Sequence, residues 1–307
     1  MFDISFFNKV DDECSESPYK KAMSFRESLL FLSCAGSTLF LSVKAQGESW
    51  KDKTIEPVTN PFYFEAPQVN TQLRPVFMHH EIPSSFLGGG TANVYGSQAR
   101  WAVNDRLAII ATKGGICDLD MPEVGINETG WADFGFGLKY VAVDDEENQL
   151  LVTPGLKLEL PSGSGGIFQN NGDGEWNVFV SAMKGFDDLH FTGSVGARIP
   201  NDNNEESSFL HWSAQVDYYT SKWFIPFVAL NSFTVLSGGD GATSVEGYDL
   251  INFGSAAAEG DTYSALGFGF RSKLYERVDL GFSYENGVGS KKGIMDERYI
   301  VDMIITF

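Results

Sequence analysis

Apolar and polar side chains alternate with a period of two residues along most of the chain after residue 71, and the last segment shows this most clearly. Tyr299, Val301, Met303, Ile305 and Phe307 share one face, opposite a charged or mixed face. Such alternation predicts a β-strand with one apolar side. A strand that ends on a terminal phenylalanine is typical of the closing strand of an outer-membrane β-barrel, where it is a membrane-insertion signal. The edge of a soluble β-sandwich is the alternative.

The same alternation predicts twelve strands, with ten or fourteen as alternatives. They cover residues 72–80, 91–103, 106–113, 130–143, 149–160, 174–186, 189–199, 208–220, 223–235, 262–273 and 277–288, followed by the terminal strand. Short turns alternate with long loops, including a Gly- and Asp-rich connection after residue 113 and the longest loop at 236–260. Strands of ~9–13 residues exceed the ~5–6 usual in soluble sheets. The prediction is therefore an all-β, transmembrane, antiparallel up-and-down barrel.

The N-terminal region predicts an export signal. A basic stretch around Lys20 and Arg26 precedes an apolar run at 29–43, which is too short to cross ~30 Å of hydrocarbon as a helix. Cleavage is expected after Ala45, at a small-x-small site. Met23 is a more orthodox start, so residues 1–22 are interpreted as a mis-assigned extension, and a lipoprotein site at Cys34 is the alternative.

Three regions follow from these patterns: a signal peptide at 1–45, a segment at 46–71, and an outer-membrane barrel at 72–307. The segment at 46–71 contains Trp50, Pro57, Phe62 and Pro67. It either folds into the barrel lumen or lies in the periplasm, and the sequence does not choose between these.

Charge and cysteine content exclude several functions. The formal net charge of −19 argues against nucleic-acid binding. Cys117 is the one cysteine after the predicted cleavage site, so neither an internal disulfide nor a cysteine-based metal site can form. His79 and His80 point to opposite faces of a strand, and the glycine run at 88–90 lacks the strand and helix of a phosphate-binding loop. No cofactor and no metal site are expected.

The inward faces of the predicted strands carry charges of both signs. These residues are Arg100, Asp133, Lys139, Lys157, Glu159, Arg198, Asp217, Arg271, Asp279, Glu285 and Asp302. Buried charges must be paired or hydrated. They form either a structural network of ion pairs in a narrow barrel or the lining of a water-filled path that selects solutes. The inward glycines at 135, 137, 155, 267, 269 and 281 leave free space or room for a plug.

A hydrolase is a remote alternative. His211, Ser213 and Asp217 lie on one face of a predicted strand and offer a base, a nucleophile and an acid. That face points inward, away from the lipid that an outer-membrane lipid hydrolase would process, and no oxyanion motif accompanies it. No enzymatic activity is expected.

Two stretches resemble a known family. Residues 130–140 (GWADFGFGLKY) and 150–164 (LLVTPGLKLELPSGS) are similar to an Asp-x-x-x-Gly-x-Lys-Tyr strand and a Pro-Ser/Thr-Gly loop of the outer-membrane family labelled for the MetA pathway of phenol degradation. The resemblance extends over about residues 64–307. It implies an outer-membrane barrel that acts as a channel for small or hydrophobic compounds. It carries no residue-level mechanism, and the family name denotes no enzymatic activity.

The leading hypothesis is a passive outer-membrane channel or transporter for small, hydrophobic or aromatic compounds. A non-conducting structural or surface-binding barrel that presents acidic loops is the alternative. The expected partners are outer-membrane lipids and lipopolysaccharide, the barrel-assembly machinery acting on the C-terminal strand, and small solutes.

Overall fold

The computed structural model describes residues 49–289 and 293–307, so the predicted signal peptide and cleavage site lie outside the described residues. The strands are β1 (Gln72–Ile82), β2 (Gly90–Ala102), β3 (Leu107–Lys113), β4 (Gly115–Met121), β5 (Ile126–Trp131), β6 (Phe134–Tyr140), β7 (Val143–Asp145), β8 (Leu150–Leu160), β9 (Glu175–Phe186), β10 (Leu189–Pro200), β11 (Ser208–Tyr218), β12 (Ile225–Ser237), β13 (Thr262–Tyr275), β14 (Val278–Val288) and β15 (Glu297–Thr306). Short 3-10 helices cover Trp50–Lys53, Pro122–Val124, Gly165–Ile167 and Ala256–Ala258. Within the described ranges, none of these helices is long and apolar enough to cross a bilayer.

The sheet closes on itself because β1 pairs with both β2 and β15. Leu73 faces Ile305 on one side and Ala99 on the other, and every strand pair is antiparallel. β3 and β4 share one position in the wall, β5 and β6 share the next, and β7 adds only a short edge to β8. The wall is therefore a closed antiparallel barrel of twelve strands, and the predicted fold is confirmed.

One predicted connection is wrong. The Gly- and Asp-rich stretch after residue 113 forms the β4–β5 hairpin and not a long loop. Gly114 and Gly115 have φ angles of 148° and 144°, so the chain bends there without leaving the sheet. The register against β2 shifts by one residue at this point, as in a β-bulge. The sequence of the glycine pair is typical of a loop, but in the structure the pair forms a bend between β3 and β4, which both pair with β2.

The two faces of the wall follow the predicted alternation. In β15, Tyr299 and Val301 are 38% and 41% exposed, whereas the intervening Ile300 and Asp302 are buried. Most strands likewise turn large apolar side chains outward, such as Phe134 and Phe268. A continuous apolar exterior of this kind suits contact with lipid hydrocarbon.

Two segments outside the strands lie inside the ring. Residues 54–67, the inner segment, are all buried and hydrogen-bond to inward side chains of strands from β1 to β13. Residues 246–252, the inward loop, are also buried, although they belong to the longest connection, between β12 and β13. The end of the barrel with the connections at 83–89, 161–174, 201–207 and 238–261 is called the loop end below.

Candidate functional site: the barrel lumen

Glu65 of the inner segment joins two strands of the wall. Its carboxylate accepts hydrogen bonds from Nε and Nη2 of Arg100 on β2, at 2.8 and 2.7 Å, and from Nζ of Lys139 on β6, at 2.8 Å. Lys139 also donates to the carbonyl of Ala66, at 2.8 Å. Arg100 and Lys139 are almost fully buried, and the carboxylate of the inner segment neutralises their charges.

The electrostatics of Glu65 favour its ionised form. Burial alone would raise its pKa, but Arg100 and Lys139 outweigh burial and hold the pKa far below its ordinary value of 4.5. A carboxyl group with a lowered pKa in the folded state stabilises that state above its unfolded pKa, and this contribution is lost as the pH falls. Docking of the inner segment should therefore weaken progressively below pH 4.5.

A second cluster surrounds Asp302 of β15. Arg74 donates from Nε at 2.7 Å, and Arg271 donates from Nη1 and Nη2 at 2.8 and 3.0 Å. The same arginines also hold the inner segment, since Arg74 donates to the carbonyl of Pro57 at 2.7 Å and Arg271 to that of Glu56 at 3.2 Å. All three charged side chains of the cluster are at most 1% exposed. The cluster links the wall where the barrel closes to the start of the inner segment.

Further along the inner segment, the ring of Tyr63 lies beside two cations of the wall. The guanidinium of Arg198 lies 4.5 Å, and Nζ of Lys157 5.0 Å, from the centroid of its ring. Lys157 also donates to the carbonyl of Phe62, at 2.6 Å. Burial, the largest influence, raises the pKa of Tyr63 well above its ordinary value, so the phenol stays neutral and serves as a cation–π partner.

Nearer the loop end, the wall pairs with the inward loop. Arg198 binds Glu175 at 2.7 Å and donates to the carbonyl of Tyr248. Arg298 binds Asp249 of the inward loop at 2.5 Å and Glu285 of the wall at 2.8 Å. These contacts fold an acidic connection inward, which the prediction of a simple loop at 236–260 missed.

The rest of the lumen at this end is apolar and packed. Inward side chains such as Met78 and Phe233 join Tyr248 and Ile251 of the inward loop in one buried cluster. Two interior cavities, one beside Phe62 and Lys157 and one beside Cys117 and Ile251, each measure about 10 Å³. A cavity of that size has room for about one water molecule. The described interior is filled at both places.

Most of the predicted lumen residues are buried. The exceptions are Glu159 and Asp279, which are half-buried. Asp133 accepts hydrogen bonds from the backbone amides of Ser162, Gly163 and Asn170, so it shapes a connection at the loop end. A role in solute selectivity stays a prediction for all eleven.

Sequence reasoning missed several partners of these residues. They are Glu65, Arg74, Glu175, Asp249 and Arg298. The alternation places Arg74 and Arg298 on the inward face and could have identified them. Glu65 and Asp249 lie outside the strands, where no periodicity marks them.

The inward glycines leave space beside the strand backbone, as the sequence predicts. The inner segment occupies this space at only some of them. A Cβ atom added to Gly267 would lie 2.6 Å from Cγ2 of Thr59, and one added to Gly281 would lie 2.9 Å from Cγ2 of Val58. At Gly155 the neighbouring group is instead the ring of Phe179, at 2.3 Å. At Gly267 and Gly281 the inner segment therefore lies close to the backbone of β13 and β14.

The residues of the remote hydrolase alternative have separate partners. His211 contacts Asn177 at 2.7 Å, Ser213 accepts a hydrogen bond from Asn60 at 3.2 Å, and Asp217 contacts His190 at 2.8 Å. These contacts do not link His211, Ser213 and Asp217 into a chain of base, nucleophile and acid. Within the described ranges, no three His, Cys, Asp or Glu side chains converge as metal ligands.

Glu206, in the connection between β10 and β11, gives a pH-dependent prediction. Burial and the nearby Glu175 raise its pKa from 4.5 to about 8. Because the folded pKa lies above the unfolded one, its stabilising contribution is complete below pH 4.5 and is lost as the pH rises through 8. The thermal unfolding midpoint of Glu206→Gln, compared with wild type, should rise across this window. A difference that stays constant with pH would contradict the prediction, and Glu205→Gln is the matched control.

Comparisons with known proteins find the fold but no family. No family model matches the chain, and no curated protein is similar in sequence. The COG4313 outer membrane channel from Pseudomonas putida F1 is similar in structure, with a TM-score of 0.58 and 12% identity over 83% of this chain and 100% of that one. The KdgM porin has a TM-score of 0.46 and 12% identity over 76% of this chain and 99% of that one. Membership of the phenol-degradation family thus stays a prediction, and the architecture is that of an outer-membrane β-barrel.

Proposed function

We propose that the protein is an outer-membrane channel whose lumen is closed by the inner segment and the inward loop. The observation that carries this proposal is that Glu65 pairs with Arg100 and Lys139 of the wall. The inner segment lies outside the ladder of strands, so it can leave without breaking a strand pair. Its departure would leave these two cations lining a hydrated path, as a selective channel requires.

The proposed setting follows from the exterior and the terminus. The apolar outer face supports residence in a bilayer, with lipid and lipopolysaccharide as neighbours. Export through a signal peptide, and assembly through the C-terminal strand, are parts of the same proposal. The apolar cluster at the loop end favours small hydrophobic or aromatic compounds as solutes.

A non-conducting barrel is the second candidate, and the packed interior favours it. If the inner segment never leaves, its ion pairs only stabilise the wall, and the small cavities never join into a path. The two candidates therefore differ in whether the inner segment moves.

A disulfide between the inner segment and the wall tests this difference. Cγ2 of Thr59 lies 2.6 Å from where a Cβ of residue 267 would be, so Thr59→Cys with Gly267→Cys brings two thiols within bonding reach. In a background without other cysteines, we expect the oxidised variant to show little single-channel conductance and the reduced variant to conduct like the wild type.

The control places the disulfide within the wall. Gly193 and Ala214 face each other across β10 and β11, and their cysteine pair should leave conductance unchanged. The disulfide in the Thr59→Cys, Gly267→Cys variant is verified by mass spectrometry. Equal conductance of its oxidised and reduced forms would exclude gating by the inner segment. If neither the wild type nor any variant conducts in a lipid bilayer, the non-conducting barrel is favoured.

A further inference from the structure

A surface cavity of about 440 Å³ opens among the connections at the loop end. We call it the mouth pocket. It lies between Phe86 of the β1–β2 connection, Phe168 of the β8–β9 connection, Glu205 of the β10–β11 connection, and Asp240 and Phe253 of the β12–β13 connection. Its volume is in the range of about 300–1,000 Å³ typical of sites for small molecules.

The base of the mouth pocket is aromatic. The ring of Phe253 lies 5.5 Å from that of Phe86 and 5.5 Å from that of Phe168, measured between centroids. Phe86 is 5% exposed and belongs to the apolar cluster that fills the lumen at this end, and the other two rings pack against that cluster. A molecule bound on these rings would therefore lie directly above the closed lumen.

The rim of the mouth pocket is acidic. Glu205 accepts a hydrogen bond from the backbone amide of Gly172 at 3.0 Å, and the backbone amide of Asp240 donates to the carbonyl of Asn204 at 2.6 Å. Among the described residues, no salt bridge includes either carboxylate. The four connections around the cavity, at 83–89, 161–174, 201–207 and 238–261, contain neither lysine nor arginine. Their charge favours a cation.

We propose that the mouth pocket binds a small aromatic ammonium compound. Its ring packs on Phe253 and its ammonium group lies near Glu205 and Asp240, where aromatic faces and carboxylates attract a cation together. This inference rests on the proposed function, for which it names the class of solute. Binding does not require an open lumen, so each proposal can fail without the other.

Isothermal titration of the purified full-length barrel tests the proposal, with protonated 2-phenylethylamine as the probe. We expect saturable binding of the amine, binding at least about five-fold weaker for 2-phenylethanol, and none for phenylacetate. Asp240→Asn and Glu205→Gln should each weaken binding of the amine about five-fold and leave binding of the alcohol unchanged. Phe253→Leu should weaken the binding of both probes.

Glu259→Gln is the matched control, because Glu259 is exposed on the same connection but does not line the cavity. An equal loss in this variant would show a general effect of acidic charge and overturn the site. Equal binding of amine and carboxylate, or no saturable binding to correctly folded protein, would also overturn it. Binding without conductance would refute only the proposed channel, and conductance without binding would refute only this site.

Discussion

Glu65→Ala is expected to raise the conductance of the barrel strongly. The substitution removes the one carboxylate that both Arg100 and Lys139 contact, and all three side chains are at most 1% exposed. Removing one partner of a buried ion pair costs about 3–5 kcal/mol. If that cost falls on the docked state, the ratio of docked to released segment drops by a factor on the order of a hundred or more. Single-channel recordings in planar bilayers would detect the open lumen.

Two comparisons separate this effect from a general loss of charge. Glu128→Ala removes an exposed carboxylate on β5 and should leave conductance at the wild-type level. Glu65→Gln keeps hydrogen-bonding oxygen without charge and should fall between wild type and Glu65→Ala. Limited proteolysis reports independently whether the inner segment is released. A released segment with unchanged conductance would show that residues 54–67 do not close the lumen.

Asp302→Ala is expected to cause the largest loss of stability. Asp302 forms salt bridges with both Arg74 and Arg271, and its removal would leave two buried guanidinium groups without a salt-bridge partner among the described residues. We expect the free energy of unfolding to fall by at least about 3–5 kcal/mol. Urea unfolding in lipid vesicles, followed by tryptophan fluorescence, measures this change.

The exposed pair of Lys51 and Asp144 provides the contrast. These side chains are 29% and 33% exposed, so Asp144→Ala should cost only about 0–1 kcal/mol. Replacing Asp302, Arg74 and Arg271 together with apolar residues of similar volume should recover much of the stability lost by Asp302→Ala. If Asp302→Ala costs no more than Asp144→Ala, the cluster does not hold the barrel together.

The wall of the barrel could be predicted closely because its signals are local. Alternating apolar and polar side chains predict most strands, as the exposed Tyr299 and Val301 illustrate in β15. The stretch at 114–129 differs from the predicted long loop because Gly114 and Gly115 have the composition of a loop, while only their backbone angles show that the chain bends within the sheet.

The lumen was harder to predict, because its contents do not come from the strands alone. Alternation marked Arg100 and Lys139 as inward, yet nothing in the spacing of residues 46–71 marked Glu65 as their partner. The apolar residues of the inward loop, such as Tyr248 and Ile251, were the one hint that a long acidic connection would fold inward.

The sequence by itself determined the fold class, the two faces of the strands and the place where the barrel closes, because a period of two residues and the strand length are properties of neighbouring positions. Only the tertiary structure decided which charges meet. Arg74 and Asp302 are separated by 228 positions, and Lys139 and Glu65 by 74. Such pairs exist only after the ring has closed around the inner segment, since closure brings side chains from distant parts of the chain into one enclosed space.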